Sequence, residues 1–121
     1  MESISLAVWT LTAAVAAGTV LALWHLRAAE GVGRPPQAAG IAHGIVGTAG
    51  LIALVFAVRG PARGVGAGVG SFGSMAAWLF AGAVVTGIAT LLWRRKPIAM
   101  AVHAGIAITG YVLLLAWNAL G

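Results

Sequence analysis

The sequence predicts an all-α integral membrane protein, a four-helix bundle built from two duplicated helical hairpins. Three observations carry that reading. Hydrophobic residues make up 61% of the 121 and charged residues only 7%, with a mean hydropathy of +1.03, a balance foreign to soluble domains. Four apolar runs, near residues 4–26, 38–58, 74–93 and 98–119, each reach the ~20 helical residues needed to cross a bilayer. Finally, a set of tryptophans, glycines and histidines in the first half recurs in the second.

The first span follows Met1-Glu2-Ser3, which lacks the basic start of a signal peptide, and its apolar stretch is longer than such a peptide carries. It reads as structural. In lipid only a helix satisfies the backbone of a single segment, so each span is helical. Glu30-Gly31-Val32-Gly33-Arg34-Pro35-Pro36 breaks the chain after the first span and offers Pro36 as an early residue of the second helix. The third span follows a glycine-rich stretch, 60–73, which reads as a flexible connector. Its Gly68-x-Gly70-x-x-Gly73 matches a dinucleotide fingerprint in letters only, with no βαβ unit around it. Arg94-Arg95-Lys96-Pro97 separates the third span from the fourth.

The first and third connections carry Arg27, Arg34, Arg94, Arg95 and Lys96, against Arg59 and Arg63 in the middle one. The positive-inside rule then puts both termini outward, and a bacterial inner membrane is the expected location. The same distribution explains the net charge of +5 as lipid-headgroup contacts, and no nucleic-acid groove is expected. The absence of cysteine excludes disulfides, thiolate metal sites, iron–sulfur clusters and haem attached through Cys-x-x-Cys-His. No serine–histidine–acid set, phosphate loop or paired carboxylates are present.

Trp9, Gly18 and Trp24 recur as Trp78, Gly87 and Trp93, each displaced by 69 positions, and Ser5/Ser74, Ala7/Ala76, Ala14/Ala83, Val15/Val84 and Leu23/Leu92 keep that register. In the second and fourth spans the displacement is 60: His43/His103, Gly50/Gly110 and Leu54/Leu114. Residues 1–121 thus form one membrane domain with repeats at 3–58 and 72–119. Repeats of two spans each enter and leave on one side, so a pseudo-two-fold along the membrane normal relates them. His43 and His103 come to equal depth, about 10 Å into their helices at ~1.5 Å per residue, in the inward half.

Two intramembrane imidazoles at a duplicated position suit a metal clasped between helices, and without cysteine a haem b held by His43 and His103 is the leading expectation. A packing or proton-relay role, or another metal, stands beside it. Gly47 and Gly50 lie on the face of His43, and Ala107 and Gly110 on that of His103. Such a strip of small residues leaves room for a flat macrocycle. It equally permits close helix packing, as does Gly40-x-x-x-Gly44. Met100, three residues before His103, reads as packing. His25 breaks the symmetry, its counterpart at 69 being Arg94. The two would hold haem propionates or a quinone headgroup, or else anchor the chain at headgroup level beside Trp24 and Trp93. His25 is also a candidate ligand for a second haem.

Histidines on facing helices of a four-helix membrane core, with the run Ala-Val-His103-Ala-Gly-Ile-Ala-Ile-Thr-Gly110-Tyr111, resemble the cytochrome b561 type of haem-b protein, chiefly over spans two and four. The resemblance implies electron transfer with quinone or a partner redox subunit, and carries over only His43 and His103 as ligands. The chain departs from the fuller pattern in lacking a second histidine pair near the other face. Two readings of other classes remain. One is a non-catalytic anchor or assembly subunit of a respiratory or dehydrogenase complex, for which small-residue faces, also suited to a homodimer, would serve. The other is a small four-span exporter, disfavoured because no acidic residue lies between Ile4 and Leu26.

Overall fold

The computed structural model describes residues 2–93 and 96–121. Its long elements are α1 (Ser3–Arg27), α2 (Gln37–Val58), α3 (Phe72–Leu92) and α4 (Pro97–Leu120). All four are long and apolar enough to cross a membrane, which makes this an integral membrane protein of the four-helix class. Pro36 is the extended residue just before α2, whereas Pro97 occupies the first turn of α4, where its missing N–H costs nothing. The last turn of α1 tightens into a short 3-10 turn, Ala28–Glu30. Gly31, at φ 87°, then reverses the chain in a conformation that suits glycine alone. The Trp24 indole N–H donates to the Gly33 carbonyl at 3.0 Å and pins this connection back onto α1.

Helix α1 packs mainly on α2, and α3 mainly on α4, while α1–α4 and α2–α3 meet more lightly. Helices α2 and α4 therefore stand on a diagonal. The buried residues fall at steps of three and four: Ile4, Ala7, Leu11 and Ala14 on α1, Gly73, Ala76, Phe80 and Ala83 on α3. That is the seam of a closely aligned helix pair. Many are small, as expected where helices associate in lipid by contact alone. Helices α2 and α4 complete the core with Gly50, Ala53, Leu54 and Ala57, and with Gly110, Leu114 and Trp117.

All of these lie in the half of the bundle that carries both termini, here the terminal half. In the opposite, hairpin half, no described helical residue is buried: none after Ala14 on α1, before Gly50 on α2, after Ala83 on α3 or before Gly110 on α4. The bundle is packed at one end and open at the other.

The α2–α3 connection corrects the expectation of a flexible linker. Gly64 and Gly68 adopt left-handed φ values of 70° and 75°. The Val69 N–H closes onto the Gly64 carbonyl at 2.9 Å, and the Val69 side chain is buried in the core. The Arg63 guanidinium lies 5.9 Å from the centre of the Trp117 ring, within cation–π range. This segment is a folded lid over the terminal end.

Candidate functional site

The two histidines expected at equal depth meet across the diagonal. The ring centroids of His43 and His103 are 6.0 Å apart, with the ring planes at 90°. Both side chains are half-buried and sit at the boundary between the packed and open halves of the bundle.

Each ring is backed by a glycine of its own hairpin. A Cβ on Gly18 would lie 2.8 Å from His43 Cε1, and one on Gly87 would lie 3.1 Å from His103 Cε1. Any larger residue would displace the imidazole. One turn away, the Ala83 carbonyl accepts a hydrogen bond from His103 Nδ1 at 2.7 Å. A carbonyl only accepts, so Nδ1 carries a proton, and in the neutral tautomer that this selects the lone pair is on Nε2. The corresponding neighbour of His43 is the backbone of Ala14, but among the described residues the buried Nδ1 of His43 has no hydrogen-bond partner. Among the described residues no hydrogen bond reaches either Nε2. A ring whose Nδ1–H is tied to a backbone carbonyl and whose Nε2 is open is the usual arrangement of a metal-binding histidine.

The four small residues expected to line a macrocycle divide between two environments. Gly50 is buried against Leu11 and Thr10 of α1, where a Cβ would come within 2.7 Å of the Leu11 side chain. Gly110 is buried against Leu79, Phe80 and the Ala76 carbonyl of α3. Both serve helix packing inside the terminal half. A Cβ on Gly47 would stand 3.8 Å from Ala14 Cβ, ordinary contact distance, and Ala107 is half-buried; both belong to the open half. Met100 is half-buried in the first turn of α4.

His25 occupies the last turn of α1, half-buried. It stands seven residues beyond Gly18, hence about 10 Å further toward the hairpin end. Arg94 lies outside the described residues. Lys96 Nζ sits 5.7 Å from the centre of the Trp93 ring. A cavity of about 170 Å³ opens between α3 and α4, lined by apolar atoms of Thr86, Ala89, Trp93, Ile98, Ala99 and Val102. Among the described residues no group of three or more histidine and acidic side chains forms a metal cluster.

Gly18, Gly87, Ala14, Ala83 and Thr86 touch the rings yet had no assigned role in the sequence reading. The repeat itself held the signal. Ala14/Ala83 and Gly18/Gly87 are conserved between the halves and spaced one turn apart, as residues that share a helix face must be.

The fold and the site define a class: a four-span helical membrane bundle with a diagonal pair of imidazoles. No protein-family model matches the chain, and neither a curated protein nor a solved structure is significantly similar to it.

Proposed function

We propose that this protein is a membrane b-type cytochrome that binds one haem b through His43 and His103 and exchanges electrons with quinone or a partner redox subunit. The observation that carries the reading is the imidazole pair, 6.0 Å apart, at the edge of a bundle half in which no described helical residue is buried. His43 and His103 would hold the group, since imidazole nitrogens are the haem ligands this cysteine-free chain can offer from facing helices. The lighter contact between hairpins than within them favours a group lying between the two histidines over one within a hairpin.

Haem iron, when bound, supplies the chemistry, a one-electron change between ferric and ferrous. The protein does the rest. Ala83 and Gly87 hold the His103 ring, Ala14 and Gly18 that of His43, and the packed terminal half keeps the pair at fixed spacing. At the hairpin end His25, Arg27 and Lys96 offer donors for carboxylates, and the anionic edge of haem b suits that end.

A dithionite-reduced minus oxidised spectrum of protein purified from haem-replete membranes tests the reading. The wild type should show the paired sharp bands of six-coordinate haem b, and His43→Ala and His103→Ala should each lose them. A colourless wild type overturns the proposal and favours a non-catalytic anchor. Bands that survive both substitutions but vanish in His25→Ala would reassign the ligands.

A further inference from the structure

The residues behind the two rings largely correspond across the duplication, but their hydrogen bonds to the rings do not. Ala14 matches Ala83 and Gly18 matches Gly87, but Ala17 has Thr86 as its counterpart at the same displacement of 69. Thr86 Oγ1 lies 3.3 Å from His103 Nδ1. Its own proton is used one turn back, on the Gly82 carbonyl at 2.9 Å, with the Ala83 carbonyl at 3.2 Å. The hydroxyl therefore turns lone pairs toward the ring and accepts from Nδ1–H. His103 Nδ1 thus has two acceptors, while His43 Nδ1 has no well-formed one.

We propose that Thr86 is a positioning residue that makes the paired histidines inequivalent: it shares the His103 Nδ1 proton with the Ala83 carbonyl, locks that ring with its lone pair on Nε2, and makes His103 the firmer and more electron-rich of the two ligands. The ligand part of this rests on the haem reading. The lock does not, because it is a property of the protein alone. An acceptor on Nδ1–H raises the basicity of Nε2 toward a metal. A more basic ligand favours ferric over ferrous iron, so Thr86 holds the midpoint potential down.

Two measurements on one variant set test this separately. The first is ¹⁵N NMR of histidine-labelled protein in detergent micelles without haem. His103 should show a single tautomer with a slowly exchanging Nδ1 proton, and His43 faster exchange. Thr86→Val, which keeps the shape and removes the acceptor, should bring His103 exchange up several-fold toward that of His43. Thr86→Ser should restore the wild-type signal, and Ala17→Thr should slow exchange at His43. The second is a redox titration of the haem-loaded proteins, with the midpoint rising in Thr86→Val, returning in Thr86→Ser and falling in Ala17→Thr. Unchanged exchange in both Thr86→Val and Ala17→Thr overturns the proposal. If Thr86→Val does not fold, Ala17→Thr decides alone. A colourless wild type with the expected exchange pattern removes the haem reading and leaves the lock standing.

Discussion

At the scale of single residues, the site rests on two hydrogen atoms, the glycine Hα atoms on which the imidazoles lie. At Gly18 an added methyl would meet the His43 ring at 2.8 Å, a separation no relaxed structure tolerates, whereas at Gly87 the approach is 3.1 Å and a few tenths of an ångström of movement relieves it. Overpacking of this kind typically costs about 1–3 kcal/mol. Gly18→Ala should therefore lower the haem-to-protein ratio several-fold, measured as the pyridine haemochrome, and Gly87→Ala should lower it less. Equal and full haem content in both would mean that the glycine contacts do not govern ring placement. The positions of the two histidines were legible, because a duplicated hairpin repeats depth as well as sequence. For Gly50 and Gly110 the sequence left helix packing and room for a macrocycle equally open. A shared helix face is only a direction, and what lies along it changes from the bundle centre at the histidines to the hairpin partner two turns later.

At the scale of elements, the two hairpins are joined by a few specific contacts in the terminal half. Thr12 Oγ1 and Tyr111 Oη share a hydrogen bond of 2.8 Å between α1 and α4. Interhelical bonds in membranes average about 0.6 kcal/mol, so Tyr111→Phe should shift unfolding in detergent by roughly that amount. Its haem spectrum should stay unchanged. The α3–α4 contact is stiffer. Trp117 is 3% exposed, and a Cβ on Gly73 would stand 2.7–2.8 Å from three of its ring atoms. An indole has no flexible end to yield, so Gly73→Ala should destabilise by about 1–3 kcal/mol, read as a lower midpoint of unfolding in SDS. A neutral result would show that α3 slides along α4 without loss. The span boundaries were readable to within two residues from apolar length and proline. The fold of residues 60–71 was not, since its order depends on Val69 and Arg63 finding the core and Trp117, which lie far away along the chain.

For the whole molecule, the proposed haem site implies that the division into a packed and an open half separates stability from cofactor binding. Leu54 and Leu114, each 0% exposed, occupy equivalent places in the packed half. Truncating buried leucines costs about 2–5 kcal/mol in cores of this density. Leu54→Ala and Leu114→Ala should lower the melting temperature in detergent while the protein that remains folded keeps its haem bands. His43→Ala should do the reverse, with little change in the haem-free melting temperature. Ligand binding to the folded state alone stabilises in proportion to ligand excess over its dissociation constant. Added haem should therefore raise the melting temperature of the wild type but not that of His43→Ala, and equal rises would detach the open half from any haem site. Of the tryptophans that mark the repeat, Trp9 and Trp78 have no part in either half: they are 68% and 80% exposed.

The membrane class, the number of spans, their limits and the equal depth of the two histidines follow from the sequence by itself, since each depends on local quantities: apolar length, helix-breaking residues and the displacement between copies. The meeting of the rings across the α2–α4 diagonal was decided only in three dimensions. So were the glycine and backbone behind each ring, the unequal support given by Thr86 and Ala17, and the concentration of buried helical residues, among those described, in one half of the bundle. These depend on how helices rotate and cross, and that is set jointly by every contact along four spans rather than by any one stretch of chain.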